Sequence, residues 1–265
     1  MSFTVSIEPQ KYLLEQLAGD SVDVVVLLDN GANPETFEPS ASKRMAAERS
    51  KAFFATGTLP FERTITGSIG DGVEIVNTSE GIEFAYGTHS HHHADGTSDH
   101  HHAGHDATDA DPHVWTSVAN ARIMARNMAD GLKKIDPDNS AAYESRLSAL
   151  NRRLDSIDSV IRDRVGRSIK SFAIWHPSLT YFARDYGLNQ IAVGSESKEI
   201  SARKLAEIIA EAKNDSVGVF FFQKEYDSRQ AETINEILGS RIVTINPLSY
   251  DWEGQLDTIS LELSK

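Results

Sequence analysis

Apolar positions alternate along this chain between short continuous runs and longer stretches spaced by three and four. Residues 3–7 read as a strand, and residues 9–18 as a helix with Tyr12, Leu13, Leu14 and Leu17 on one face. Gly19 stands where a helix commonly ends. Residues 22–28 form the run VDVVVLL, which suits a strand buried on both faces. Residues 51–56 and 73–77 read as further strands. This repetition predicts an α/β lobe with a mostly parallel sheet over residues 1–135.

The periodicity vanishes in a low-complexity loop, 88–110, and returns as two helices. Residues 115–135 carry Val118, Ala121, Met124, Met128 and Leu132 on one face. Asp136-Pro137 then opens a second helix, a cap followed by a first-turn proline. Its apolar positions are Tyr143, Leu147, Leu150, Leu154, Ile157, Ile161 and Val165. Some 29 residues give about 43 Å, enough to join two lobes rigidly. After this linking helix (136–166), residues 167–265 repeat the α/β pattern. Strands are expected at 171–175, 217–223 and 242–246. Ser201 and Asp227 are placed to cap helices 201–213 and 227–238, the second ending at Gly239. The reading is two α/β lobes joined by one long helix.

Loop 88–110 changes the picture from architecture to chemistry. It holds eight of the ten histidines: His89, His91, His92, His93, His100, His101, His102 and His105, mixed with aspartates. Imidazoles titrating near ~6.5 are mostly free for coordination at neutral pH, and such tracts signal metal binding. The tract is internal and interrupted, which sets it apart from an expression tag. So polar a stretch is expected to be mobile without metal.

The chain has 265 residues, 40% hydrophobic and 25% charged, in the range of folded globular proteins. Its formal net charge of -13 argues against nucleic acid or an anionic membrane surface as partner. No run approaches the ~18 apolar residues of a membrane span. The strand signal begins almost at Met1, so the sequence is expected to be the mature part of an extracytoplasmic protein, without its signal segment or lipid anchor. With no cysteine there is no thiolate ligand, and a metal must be held by imidazole, carboxylate, amide or water.

Only His113, in DPHVW, and His176, in WHPSLTYFARDYGL, lie outside the tract. A lone histidine is more often structural than a ligand, but both sit in a chain already enriched for metal capture. Taken with VSIEPQKYLLEQLAGD, GANPETFEPSASK, DPHVWTSVANARIMARNMADGL, FFFQKEYDSRQAETINEI and INPL, these segments carry a resemblance over nearly the whole chain. In their order and spacing they resemble the metal-binding solute-binding proteins of bacterial ABC importers for zinc and manganese.

The resemblance implies two α/β lobes with metal in the cleft between them, His113 and His176 as ligands, and an ABC permease as partner. Two positions depart from the pattern. Glu35 stands where the family has histidine, and Asn246 where it has aspartate, so the implied set is Glu35, His113, His176 and Asn246. Two histidines and a glutamate form a zinc ligand set with an open fourth place, which a loop histidine can fill. Zinc is therefore the expected metal. Manganese comes second, because Asn246 removes a charged oxygen ligand. Asp111 and Glu38 are candidates to orient the imidazoles, although Asp111 also reads as a turn residue before Pro112. Glu196 and Glu199 read as site-proximal or solvated, and Trp175 and Tyr181 as packing. Gln223 and Glu225 follow a buried strand and carry no assigned role.

The leading reading is a non-enzymatic, monomeric, periplasmic or lipid-anchored protein that captures zinc and delivers it to the permease. A buffer or sensor dominated by the histidine-rich loop is the alternative the two departures leave open. A zinc hydrolase, from a different class, shares the ligand set, but the chain has no HExxH helix, no GxSxG turn and no general base beside the ligands.

Overall fold

A computed structural model describes residues 1–19, 22–86, 110–166, 170–194, 201–226 and 228–265. The eight loop histidines, Glu196, Glu199 and the cap at Asp227 lie outside the described residues. The first lobe runs β1 (Ser2–Val5), α1 (Glu8–Ala18), β2 (Asp23–Val26), α2 (Ala41–Arg49), β3 (Ala52–Ala55), α3 (Glu62–Ser68) and β4 (Glu74–Asn77). Its strands are all parallel in the order β2-β1-β3-β4. The run at 22–28 is thus an edge strand, with Asp23 exposed and Val25 and Val26 only half-buried. It is not the doubly covered strand its apolar continuity predicts.

α4 (Val118–Ile135) closes the lobe against β4. The approach is close enough that a Cβ on Gly131 would stand 2.7 Å from Val76 Cγ2, which is why glycine sits in the middle of this helix. A short 3-10 turn at Pro137–Asn139 separates α4 from α5 (Ser140–Val165). The 26 residues of α5 span about 39 Å. It buries Tyr143, Leu147, Leu150, Leu154, Ile161 and Val165 against α1, α4 and the last helix.

The second lobe contains β5 (Ser171–Ile174), α6 (Thr180–Tyr186), β6 (Asn189–Ala192), α7 (Ala202–Asn214), β7 (Val219–Gln223), α8 (Ser228–Leu238), β8 (Arg241–Ile245) and α9 (Trp252–Leu263). Its parallel sheet has the order β6-β5-β7-β8. The sequence reading leaves α2, α3, α6, β6 and α9 unassigned. α2 buries only Ala47, and β6 is a four-residue edge strand, NQIA, half polar. Neither carries enough buried surface to print a period on the sequence.

One apolar core runs through both lobes. Phe3 and Phe54 of the first sheet, Leu147 and Leu154 of α5, Phe172 and Phe221 of the second sheet, and Trp252 of α9 belong to a single cluster. A smaller cluster, including Trp175, Phe220 and Phe222, covers the other face of the second sheet. Two tryptophans pin the lobes by hydrogen bonds. Trp115 Nε1 donates to Pro247 O at 2.9 Å, and Trp252 Nε1 donates to Trp115 O at 2.7 Å.

Candidate metal centre

In an open parallel sheet, ligands collect beyond the carboxyl ends of the strands, where the strand order reverses. In the second lobe that point lies between β5 and β7. His176 follows β5 by two residues, and Gln223 is the last residue of β7. The first lobe contributes Glu35 from the loop after β2, and His113 from the segment leading into α4.

Glu35, His113 and His176 come together here, each offering one ligand atom, all within 4.8 Å of one another. His176 Nε2 lies 3.3 Å from His113 Nε2 and 3.4 Å from Glu35 Oε1. Two ligand atoms bound tetrahedrally to zinc at about 2.0–2.1 Å stand roughly 3.3–3.4 Å apart, and both separations measured from His176 match that spacing. Both histidines are buried, and the Glu35 side chain is 20% exposed. It is the one such cluster of His, Cys, Asp or Glu side chains among the described residues.

Each of these side chains is held from behind. His113 Nδ1 meets Asp111 Oδ1 at 2.9 Å, and the same oxygen accepts the His113 backbone N–H at 2.9 Å. That contact orients the ring with Nε2 toward His176. Asp111 is fully buried. Burial pushes its carboxyl up, but the attraction of His113, its ring and backbone hydrogen bonds and the Thr180 hydroxyl hold it well below the usual carboxylate range. With a folded pKa below the unfolded one, near ~3.9, this group stabilises the fold above that range and loses its contribution as pH falls through it. Replacing Asp111 by asparagine is expected to weaken zinc binding about 10- to 100-fold, as read by competition with a chromophoric chelator. An unchanged affinity would mean that Asp111 serves only the turn.

Glu35 sits in a turn in which its backbone N–H donates to Asn33 Oδ1 at 2.8 Å. Asn33 Nδ2 reaches Tyr226 OH of the second lobe at 3.4 Å, and the Tyr226 ring lies 5.7 Å from that of His176. Tyr181, fully buried on α6, does more than pack. Its hydroxyl donates to Asp111 O at 2.7 Å and accepts from Ala85 N–H at 3.2 Å. Next to these, Asp111 N–H donates to Ala85 O at 2.8 Å, and Tyr86 and Ala110 form an antiparallel bridge. Residues 86 and 110, which flank the histidine tract, are thus fastened together beside Asp111 and His113.

Glu38 is not brought to either imidazole. It is exposed, one residue past Phe37, whose ring turns inward onto Phe61. Asn246 ends up in the turn after β8. Its Oδ1 accepts from Leu248 N–H at 3.2 Å, its backbone N–H donates to Gln255 Oε1 at 2.7 Å, and it lines an open polar pocket with Glu8, Lys11 and Asn30. A ligand role for Asn246 rests on the family resemblance alone. Gln223 and Tyr181, which hydrogen-bond to the backbone of His176 and of Asp111, are residues to which the sequence reading gives no such part. A buried glutamine ending an otherwise apolar strand, VFFFQ, was the available signal for the first of them.

Comparison with known proteins agrees with this fold. The zinc-bound deletion mutant of ZnuA superposes with a TM-score of 0.86 at 28% identity, covering 100% of this chain and 96% of the other. A further crystal structure of ZnuA gives 0.87 at 28% identity, covering 100% and 98%. The high-affinity zinc uptake system protein ZnuA of Bacillus subtilis is 30% identical over 247 residues, which is 91% of this chain and 76% of the relative. The zinc-binding lipoprotein AdcA of Streptococcus pneumoniae is 27% identical over 252 residues, 94% of this chain. The chain spans about 50% of the length of that longer relative. Residues 4–259 match the family model described as zinc-uptake complex component A, periplasmic. The chain therefore belongs to the ZnuA family.

Proposed function

We propose that this protein is the extracytoplasmic binding component of a metal ABC importer, that it holds zinc between Glu35, His113 and His176, and that it hands the ion to a membrane permease. The observation that carries the reading is the spacing of three ligand atoms from three separate segments, two of the distances being 3.3 and 3.4 Å. The zinc-binding and zinc-uptake names of the relatives support it. The relatives are binding and uptake proteins, and we read this chain as a carrier and not an enzyme. It acts as a monomer in the periplasm or its extracytoplasmic equivalent. None of the described helices is long and apolar enough to cross a membrane, and the membrane contact we assign, through a permease or a lipid anchor, follows from the family resemblance. Zinc is the preferred ion and manganese the second, since two imidazoles and one carboxylate suit zinc better than an all-oxygen cation. Asn246 and a histidine from the tract are candidates for the fourth place.

The test is a zinc titration by calorimetry on the full chain, on a chain lacking residues 89–105, and on that shortened chain carrying His113→Ala. One tight site is expected to survive the deletion while weaker sites disappear, and His113→Ala is expected to remove the tight site. Loss of all binding on deletion would make the histidine tract the binding element and the protein a buffer or sensor.

A further inference from the structure

The backbone ladder between β5 and β7 runs as far as Trp175, whose N–H donates to Phe221 O at 2.9 Å. One residue later, at His176, both backbone groups meet a side chain instead of a strand. Gln223 Oε1 accepts the His176 N–H at 3.2 Å, and Gln223 Nε2 donates to the His176 carbonyl. The same Nε2 donates to Ser178 Oγ at 2.7 Å. His176 O also accepts from Ser178 N–H at 2.7 Å, so both of its lone pairs are occupied. Gln223 is 0% exposed, and Ser178 and His176 are buried with it. On the other side the turn is backed by Gly194, where a Cβ would stand 2.6 Å from the Trp175 ring.

We propose that Gln223 is a positioning residue for the metal site: its side-chain amide takes the place of the next strand residue and fixes the backbone of His176, and with it the direction of the ring. This rests on the reading of His176 as a ligand. The position calls for an amide, because one group must accept from an N–H and donate twice. A carboxylate accepts but has no proton to donate at neutral pH, and alanine leaves buried polar groups without these partners. A side chain that pre-sets a ligand's backbone acts on affinity as an outer-shell partner does, by removing the ordering that binding otherwise requires.

Three variants of the full chain test this: Gln223→Ala, Gln223→Glu and His176→Ala. Each is read by zinc affinity, by the visible spectrum of the cobalt(II) form, which reports coordination geometry, and by thermal unfolding without metal. Gln223→Ala is expected to weaken zinc about 10- to 100-fold and to alter the cobalt spectrum, with one site per chain retained. Gln223→Glu, of the same shape, is expected to weaken zinc as well, and it decides the matter should Gln223→Ala fail to fold. A merely structural role would lower the metal-free melting temperature and leave affinity and spectrum unchanged, which would overturn the proposal. If Gln223 variants are unchanged while His176→Ala loses tight binding, the positioning role fails and the carrier reading stands. If His176→Ala also binds normally, both fail.

Discussion

Replacing His176 by alanine should weaken zinc binding by about 100- to 1,000-fold. Structural zinc sites contribute apparent free energies of about 10–16 kcal/mol from four ligands, or roughly 3–4 kcal/mol each, and every 1.4 kcal/mol is about tenfold. The loss should be larger than for any single histidine of the tract, because those eight residues are interchangeable by composition, whereas His176 is the only imidazole the second lobe contributes. Binding linkage gives a second readout. At a free zinc concentration about 1,000 times the dissociation constant, the ion stabilises the native protein by about 4.1 kcal/mol. A 1,000-fold weaker variant would gain only about 0.4 kcal/mol under the same conditions. Zinc should therefore raise the melting temperature of the unmodified protein clearly and that of His176→Ala barely. Equal, small losses for His176→Ala and for a single tract substitution would remove the inter-lobe site from the account.

The second large effect is on stability, at Trp115. This ring is buried, lies 5.2 Å from the His113 ring, donates to Pro247 O, and carries the carbonyl that accepts from Trp252. Trp115→Ala opens a cavity where the lobes meet, at an expected cost of about 3–5 kcal/mol, a large share of the about 5–15 kcal/mol typical of a folded protein. Trp115→Phe keeps most of the packing but removes the Nε1–H donor to Pro247, and should cost about 1–3 kcal/mol. Urea unfolding followed by fluorescence and circular dichroism measures both. Because the core is continuous from Phe3 to Trp252, the unmodified protein should unfold in one transition. Two well-separated transitions would mean that the lobes are independent and that Trp115 belongs to only one of them.

What was legible in the sequence follows from how much each segment buries. β5, β7 and α5 bury enough apolar surface to leave clear runs or spacings, and all three are found where the pattern puts them, except that Asp136-Pro137 opens the 3-10 turn and α5 itself begins at Ser140. α9 buries Trp252, Leu256, Ile259 and Leu263, a helical spacing that the reading passes over. α2 and β6 bury too little to be distinguished from loops. For the site, residue type was enough to single out His113 and His176, and two residues of separation tied Asp111 to His113. Glu35 could be reached only through the family pattern, since a loop glutamate has no periodicity and no chemical rarity. Gln223 left one local signal, a glutamine ending the apolar run VFFFQ, but its partner His176 is 47 residues away, across a strand crossover that no local pattern encodes. Glu38, offered with Asp111 as a candidate to orient the imidazoles, is exposed one residue past Phe37, whose ring packs on Phe61.

The fastening of residue 86 to residue 110 has an evolutionary consequence. When a segment leaves and re-enters a fold at neighbouring points, the entropic cost of closing it grows only logarithmically, about 0.6 kcal/mol for each doubling of length. Mutation can therefore lengthen, shorten or reload the stretch between those points with histidine at almost no thermodynamic penalty, while the ring of His113 stays where Asp111 holds it. On the proposed function, the number of histidines in that stretch and the geometry around His113 are thereby free to evolve separately within one polypeptide.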